Sequence, residues 1–363
     1  MERAFENYYV AIMAGGIGSR FWPGSREKNP KQFLDILHTG KSLLQSTYDR
    51  FARFIAEDHI FIITSKQYIP LVKEQLPGIQ PFQIISEPAR KNTAPCILFT
   101  AYKIAAINPN ATFIVAPSDH YITETELFNN ALLSCLDFAS QTNTLVTLGI
   151  KPTRPHTGYG YIQFDEKVGK NGICKVKTFV EKPSYEVAKD FVEFGDFLWN
   201  SGIFIWHVKS ILESFKLINP NLYELFSEGE GLYNTIEEEE FVAGVYKECT
   251  ATSIDYAIME YADNVYVLPV NFGWSDLGSW SSLWEKHQKD QQNNALGGKN
   301  ILTYVSDNNL IQINSDKLVI VQGLSGFCVI DSGDVLLICP IEDEQNIKNI
   351  YADVVEKHGN RFA

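Results

Sequence analysis

Residues 9–20 have the sequence YVAIMAGGIGSR, an apolar run that ends in a glycine-rich turn. A short, uninterrupted apolar run is typical of a strand buried on both faces of a sheet. Further apolar runs and segments with helical periodicity follow in alternation, at 59–63, 94–107, 112–116, 127–138 and 145–148. This alternation predicts an α/β fold built on a mainly parallel sheet, with ligands at the carboxyl ends of the strands.

The C-terminal part of the chain has a different pattern. Residues 291–298 are polar and rich in glycine and asparagine, which predicts a linker or a loop. Short apolar runs separated by turn residues follow, a spacing compatible with a short β-helix, and helical periodicity begins near residue 347. We therefore predict a first domain over residues 1–290 and a small β-rich domain with a terminal helix over residues 291–363.

Composition and charge argue against several classes of protein. The 363 residues carry 31 Lys and Arg against 44 Asp and Glu, a formal net charge of −13. So acidic a chain repels nucleic acids and anionic membranes, and we expect neither as a partner. The six cysteines form no CxxC pair, which favours reduced thiols over a disulfide framework or a zinc ribbon. Residues 1–9 contain no apolar core and no apolar run reaches membrane-spanning length, so we expect a cytoplasmic protein.

The glycine-rich turn lies beside a concentration of positive charge. Four cations fall in a short stretch of an otherwise acidic chain: Arg20, Arg26, Lys28 and Lys31. Glycines after a first strand let backbone N–H groups approach an anion, and arginine and lysine add directed hydrogen bonds to phosphate. Pro23 interrupts the spacing of a dinucleotide-binding fingerprint. The pattern therefore favours a triphosphate site, with an exposed basic loop as the alternative.

Two aspartates are candidates for a metal site. Asp119 follows the apolar run at 112–116, and Asp276 lies in the segment 273–280, GWSDLGSW. Mg²⁺ on a nucleotide needs only one or two protein carboxylates, because phosphates and water supply the remaining oxygens. Each aspartate is equally suited to cap the helix that follows it. The residues alone leave both interpretations open.

Polar side chains at two later strand ends suit a phosphorylated sugar. Lys182 is suited to a phosphate, Glu181 to sugar hydroxyls, and Asn200 to a hydroxyl through its planar amide. Charged residues are common at strand ends and asparagine is common in turns, so each signal is weak on its own.

In combination, these segments resemble the signature of bacterial mannose-1-phosphate guanylyltransferases, a family of sugar nucleotidylyltransferases. The resemblance covers residues 8–285. The segments that carry it are GGIGSRFWPGSR (15–26), PKQFL (30–34), EPARKNTAP (87–95), PSDH (117–120), TGYGYI (157–162), FVEKP (179–183), WNSG (199–202) and WSDLGSW (274–280).

The resemblance implies a reaction and a fold. GTP and mannose 1-phosphate would give GDP-mannose and pyrophosphate by in-line, Mg²⁺-assisted nucleotidyl transfer, as a step in nucleotide-sugar biosynthesis. The fold would be a nucleotide-binding domain of the glycosyltransferase-A kind, followed by a short left-handed β-helix.

The resemblance also implies roles for individual residues. The catalytic residues would be Arg20, Lys31, Asp119, Lys182 and Asp276. Mg²⁺ would be held by Asp119 and Asp276. The nucleotide would be bound by Ala14, Gly15, Gly16, Gly18, Ser19, Arg20, Lys31, Glu87, Pro88, Asn92 and Ser118. The sugar would be bound by Gly160, Glu181, Lys182 and Asn200.

Two other functions remain open from the sequence. One is nucleotidyl transfer to a different sugar 1-phosphate, of the heptose or glucose type. The other is a non-catalytic homologue that binds GDP-mannose as a regulator. Such a homologue would be expected to lose charges at the glycine turn or the metal positions, whereas Arg20, Lys31, Asp119 and Asp276 are all present. An exposed face of the β-rich domain and the terminal helix would suit a homodimer.

Overall fold

The computed structural model describes residues 6–362, apart from the side chains of residues 167, 168 and 170. The expectation drawn from residues 1–9 therefore lies largely outside the described residues. Within the described part of the chain, no helix has both the length and the apolar character needed to cross a membrane. The chain forms two compact units. The first comprises the segments up to Gly15, Tyr48–Pro117 and Ile122–Trp274, and the second comprises Gly16–Thr47, Ser118–Tyr121 and the residues from Ser275 onward.

Strands and helices alternate along most of the described chain. The strands are β1 (Tyr8–Met13), β2 (Ile60–Ser65), β3 (Ile84–Glu87), β4 (Thr112–Pro117), β5 (Leu145–Ile150), β6 (Tyr161–Lys170), β7 (Ile173–Val180), β8 (Phe197–His207), β9 (Val265–Val270), β10 (Ala295–Gly297), β11 (Ile301–Tyr304), β12 (Leu310–Ile313), β13 (Val319–Gln322), β14 (Phe327–Asp331) and β15 (Leu336–Pro340). The α-helices are α1 (Leu43–Phe51), α2 (Ile69–Gln75), α3 (Thr93–Ile107), α4 (Thr125–Gln141), α5 (Tyr185–Phe194), α6 (Val208–Ile218), α7 (Pro220–Ser227), α8 (Glu238–Glu248), α9 (Trp280–Lys286) and α10 (Ile347–His358).

The first unit is built on one nine-stranded sheet, in the order β3-β2-β1-β4-β8-β5-β9-β7-β6. Strands β3, β2, β1 and β4 are parallel, as the sequence predicts. Beyond β4 the sheet is mixed: β8 runs antiparallel to both of its neighbours β4 and β5, and β6 and β7 are antiparallel to each other. The prediction of a mainly parallel sheet is therefore wrong for the second half of this unit.

A tight turn explains part of that difference. Asn171 and Gly172 join β6 to β7 with φ values of 56° and 79°. Two successive left-handed residues form the turn that connects neighbouring antiparallel strands, and an Asn-Gly pair suits it well. The connection is too short for the crossover that two parallel strands need.

The long helix α3 forms the centre of this unit's core. The prediction of a helix over 94–107 is confirmed, and Asn92 precedes it with a side-chain oxygen that accepts a hydrogen bond from Thr93 N at 2.9 Å. Residues of α3 share one hydrophobic core with Ala11 and Phe113 of the sheet, and α3 also packs against α6 and α7. Because α3 has neighbours on both sides, it is apolar around most of its circumference.

The second unit contains the C-terminal strands. Strands β10, β12 and β14 pair in parallel, with Ala295 opposite Leu310 and Leu310 opposite Cys328. Strand β11 pairs in parallel with β13, and β15 closes the larger sheet antiparallel to β14. The segment 291–298, which the sequence predicts to be a linker or loop, contributes strand β10.

An N-terminal segment completes the core of the second unit. Phe21 and Trp22, from the turn after β1, share a hydrophobic core with Leu310 of β12 and Ile347 of α10. The Trp22 ring lies 6.3 Å from that of Tyr351, and its Nε1 donates a hydrogen bond to the carbonyl of Phe362 at 2.8 Å. The turn is thus held by residues that lie more than three hundred positions away in the chain.

Candidate active site

The glycine-rich turn adopts a conformation that requires glycine at residue 18. Gly18 has a φ of 70°, in the left-handed region that side chains disfavour, and it precedes the short 3₁₀ helix Ser19–Phe21. A Cβ at Gly18 would lie 2.6 Å from Cβ of Lys31. Within the described residues, the amides of Gly16 and Gly18 have no hydrogen-bond partner. Unpaired N–H groups of this kind are suited to bind an anion.

Lys31 is a buried cation of the second unit. Its side chain is only 4% exposed, although lysine is seldom buried unless it is paired. The Nζ atom donates to Oδ2 of Asp119 at 2.9 Å and to the main-chain carbonyl of Asp276 at 2.9 Å. It also lies 5.0 Å from the centre of the Phe21 ring. One ammonium group therefore connects the three segments that the sequence singled out.

Asp119 is ionised in this environment. Removal from water would raise the pKa of its carboxyl, but the ammonium of Lys31 and the nearby His120 overcome that effect and lower the pKa below its ordinary value. The side chain remains 33% exposed, so the carboxylate is open to a ligand.

Neither Asp119 nor Asp276 caps a helix, so the alternative interpretation of these residues as helix caps is wrong. Helix α4 begins at Thr125 and is preceded by Glu124. Helix α9 is capped by Ser279, whose hydroxyl accepts from Ser282 N. Oδ1 of Asp276 instead accepts from Gly278 N at 3.0 Å.

These groups surround a cavity of about 400 Å³. Arg20, Lys31, Asp119 and Asp276 all line it. Two carboxylates from separate segments, beside two cations and free amides, suit a magnesium-bound polyphosphate, because the phosphates and water would complete the metal's oxygen ligands. In the described part of the chain, three or more His, Cys, Asp or Glu side chains do not gather into a metal-binding group, so the protein alone offers Mg²⁺ few ligands.

The first unit contains a second polar cluster, formed by Gly160, Glu181 and Asn200. The main-chain N–H of Asn200 donates to the carbonyl of Gly160 at 2.8 Å, and a Cβ at Gly160 would collide with Oε2 of Glu181. The Glu181 side chain is 8% exposed and pairs with Nζ of Lys182 at 2.6 Å. The structure therefore brings together all four residues predicted to bind the sugar.

Asp255 belongs to this cluster and was missed in the sequence. Its Oδ1 accepts a hydrogen bond from Nδ2 of Asn200 at 2.9 Å. Burial and the negative charge of Glu181 raise the pKa of Asp255 to about 6, against the effects of Asn200 and Lys182. A perturbed carboxylate among other polar groups is typical of a functional site. A lone aspartate before a short apolar run gave no signal in the sequence.

Glu87 ends strand β3 beside Gly15. A Cβ at Gly15 would lie 3.4 Å from Oε2 of Glu87, and Oε1 accepts from the hydroxyl of Tyr246 at 3.2 Å. Burial raises the pKa of Glu87 to about 7, although Tyr246 and Arg90 act in the opposite direction. Pro88 follows directly and is exposed.

Of the remaining residues predicted to bind the nucleotide, two lie in the first unit and two in the second: Ala14 and Asn92, and Ser19 and Ser118. Ala14 continues β1, with its amide bonded to the Ile63 carbonyl at 2.7 Å. Asn92 is exposed at the start of α3, and Ser19 lines the 400 Å³ cavity. Ser118 is buried and contributes its carbonyl to the hydroxyl of Thr47 at 3.0 Å.

Comparison with known proteins identifies the family of the chain. The family model described as nucleotidyl transferase matches residues 9–293. The chain is 38% identical to "Mannose-1-phosphate guanylyltransferase RfbM" of Salmonella typhimurium, over 95% of this chain and 72% of that protein. It is 35% identical to "Alginate biosynthesis protein AlgA" of Pseudomonas aeruginosa, over 94% of this chain and 71% of that protein. A solved structure from Thermus thermophilus, described as a mannose-1-phosphate geranyltransferase, is similar with a TM-score of 0.85 and 29% identity, covering 96% of this chain and 99% of that one.

Proposed function

Because the chain belongs to the nucleotidyl transferase family, we propose that it is a mannose-1-phosphate guanylyltransferase. It transfers the guanylyl group of GTP to mannose 1-phosphate. A phosphate oxygen of the sugar phosphate attacks the α-phosphorus of GTP, the bond from that phosphorus to the bridging oxygen breaks, and pyrophosphate leaves with the electron pair. The attacking oxygen is already an anion, so the reaction needs no protein nucleophile and no proton acceptor.

The single observation that supports this proposal most strongly is the position of Lys31. Its ammonium lies between the side chain of Asp119 and the carbonyl of Asp276, in a cavity that Arg20 also lines. In phosphoryl and nucleotidyl transfer, catalysis consists of positioning and of neutralising charge on the phosphates. Lys31, Arg20 and the amides of Gly16 and Gly18 are suited to this task.

Magnesium would be held by Asp119 and Asp276. The ion would neutralise charge on the phosphates of GTP. The carboxylate of Asp119 is ionised and partly exposed, as a ligand for Mg²⁺ must be. The Lys31 ammonium keeps that carboxylate in place when no nucleotide is bound.

The polar cluster of the first unit would bind mannose 1-phosphate. Glu181 accepts hydrogen bonds from sugar hydroxyls, Asn200 recognises a hydroxyl through its amide, and Lys182 binds the phosphate. Asp255 is a positioning residue, because its carboxylate fixes the orientation of the Asn200 amide. Gly160 leaves the space that the ligand and Glu181 share.

Glu87 would recognise guanine, with Pro88 and Asn92 as further contacts of the base. Guanine presents two neighbouring donors, the N1–H and the exocyclic amine, and a carboxylate can accept from both. Adenine lacks this pair of donors, and a site built to pair with donors rejects an analogue that lacks them. Glu87 is buried beside Gly15 and therefore suits such discrimination.

The proposal is tested by measuring pyrophosphate release with GTP, ATP and UTP, each combined with mannose 1-phosphate or glucose 1-phosphate. We expect turnover with GTP and mannose 1-phosphate. Preference for another pair would reassign the substrate, and release with none of them would indicate a non-catalytic protein. Lys31→Ala and Asp119→Ala should each lower kcat/KM at least about 100-fold. Lys28 is exposed and does not line the 400 Å³ cavity, unlike Arg20 and Lys31, so Lys28→Ala serves as the matched control.

We also infer that the C-terminal strands form a short left-handed β-helix through which two copies of the chain associate. The parallel pairing of β10, β12 and β14 supports successive coils. Several large apolar side chains of this unit are exposed: Leu302, Tyr304, Ile320, Leu336 and Ile338. An exposed apolar patch is typical of an interface. Light scattering should give twice the chain mass for the parent and the mass of a single chain for Ile338→Glu. Leu217→Glu alters an exposed leucine of the first unit and is the control, which should also give twice the chain mass.

A further inference from the structure

A third cation lines the cavity that contains Arg20 and Lys31. Lys348 comes from α10, in the C-terminal part of the chain, far in sequence from every segment that carries the family signature. Within the described residues, the side chains of Arg20 and Lys348 have no hydrogen-bond or ion-pair partner. We propose that Lys348 binds the pyrophosphate portion of the nucleotide, as a catalytic residue that stabilises the leaving group. This inference rests on the proposed function.

The fold fixes the backbone position of Lys348 on both sides. Ile347, directly before it, is 1% exposed and belongs to the same core as Phe21 and Trp22. The short helix that precedes α10 is anchored by Glu344, whose carboxylate accepts from the amide of Ser281 at 2.7 Å and from its hydroxyl at 2.5 Å. Helix α10 also contacts the 3₁₀ helix Ser19–Phe21, which carries Arg20. Packing therefore fixes where the exposed Lys348 side chain leaves the helix, at the edge of the cavity.

The helix itself offers the Lys348 ammonium no favourable charge. Lys348 lies in the first turn of α10, where a cation opposes the helix dipole. Departures from local preference that bring no evident structural gain tend to mark functional positions. Here an anionic ligand would supply the missing partner.

The identity of the cavity's other residues indicates which part of the nucleotide Lys348 binds. None of Gly160, Glu181 and Asn200 lines the cavity, whereas Lys31 and the two proposed metal ligands do. The β- and γ-phosphates carry the most charge and gain more as the bond to the α-phosphorus breaks. Two unpaired cations, Arg20 and Lys348, would neutralise that charge most effectively at the pyrophosphate end.

The test compares Lys348→Ala and Lys348→Arg with Lys357→Ala, which removes an exposed lysine from the last turn of the same helix. The KM for GTP in the forward reaction and the KM for pyrophosphate in the reverse reaction should each rise about 10-fold in Lys348→Ala, because one charge-assisted hydrogen bond is lost. The KM for mannose 1-phosphate and the Kd for GDP-mannose, which contains no leaving pyrophosphate, should stay within twofold. Lys348→Arg should recover most of the loss, and Lys357→Ala should resemble the parent.

Two results would overturn the inference. Unchanged KM values for GTP and pyrophosphate in Lys348→Ala would show that Lys348 does not touch the nucleotide. Equal weakening of GTP, pyrophosphate and GDP-mannose, without recovery in Lys348→Arg, would show a purely structural role.

A binding measurement separates this inference from the proposed function. Calorimetric titration with inorganic pyrophosphate and Mg²⁺ requires no turnover. If the parent gave no product from any substrate pair, the proposed function would fail, while weaker pyrophosphate binding by Lys348→Ala would still support the role of Lys348. Equal pyrophosphate binding by parent and variant would refute it.

Discussion

Replacing Asp255 by asparagine should stabilise the protein in a pH-dependent way. Burial and the negative charge of Glu181 raise the pKa of Asp255 to about 6, from an ordinary value of 3.8. The ionised form is therefore disfavoured in the folded state, and the difference corresponds to at most about 3 kcal/mol at neutral pH. Asparagine removes this cost and keeps an oxygen that can accept the hydrogen bond from Asn200.

The sign of the effect follows from the direction of the pKa change. A group whose pKa is raised on folding contributes stability that is present below pH 3.8 and is lost as the pH rises through about 6. The gain in Asp255→Asn should thus be near zero at pH 4, grow between pH 4 and 6, and level off above pH 7 at about 1–3 kcal/mol.

Urea unfolding at several pH values between 4.5 and 8 measures the gain as a change in the free energy of unfolding. Asp263→Asn, which changes an exposed aspartate of the same unit, should leave the pH profile unaltered. A gain that is equal at pH 5 and pH 8, or a loss of stability at pH 8, would refute the reasoning.

Asp255→Leu should raise the KM for mannose 1-phosphate about 10-fold, because Asn200 loses a charged partner.

Three further outcomes are expected. Gly18→Ala places a side chain at a φ of 70° and against Lys31. The kcat/KM for GTP should fall at least about 10-fold and the free energy of unfolding by about 1–2 kcal/mol. Steady-state kinetics and urea unfolding measure these two quantities, and parental values would contradict the close packing. In Gly160→Ala the new methyl group would collide with Glu181, so the KM for mannose 1-phosphate should rise at least about 10-fold. A matching rise in the KM for GTP would instead indicate a general disturbance of the fold. Excess EDTA should abolish pyrophosphate release until Mg²⁺ is restored. The midpoint of thermal unfolding should change little, because Lys31 keeps Asp119 paired without the metal. Activity in EDTA would exclude the metal role.

Local sequence pattern predicts the elements of the first unit well. The apolar run before Gly15 is strand β1, and the periodic segment 94–107 lies within α3. Both signals are local, since they depend only on which faces of one element are buried. The direction of β8 could not be predicted in the same way, because an apolar run is compatible with either orientation in a sheet buried on both faces.

The candidate site shows the same limit. Lys31 was recognisable from the cluster of cations after the glycine turn, and Asp119 and Asp276 from a strand end and neighbouring glycines, all in segments with a known resemblance. Asp255 and Lys348 were not, because their significance comes from contacts that exist only after folding. Asp255 is defined by Asn200, 55 residues away, and Lys348 by a cavity whose other residues lie far from it in the chain.

The bond from Trp22 to the carbonyl of Phe362 spans 340 positions. On a ribosome that adds about 5–20 residues each second, the partner of Trp22 would be made roughly 20–70 s after Trp22 itself. For most of that interval the turn that carries Arg20 has neither the β-rich strands nor α10 to pack against, because β10 begins only at Ala295. Nascent chains should therefore be unable to retain GTP until α10 has been synthesised, so that ligand capture reports the arrival of α10 rather than early folding.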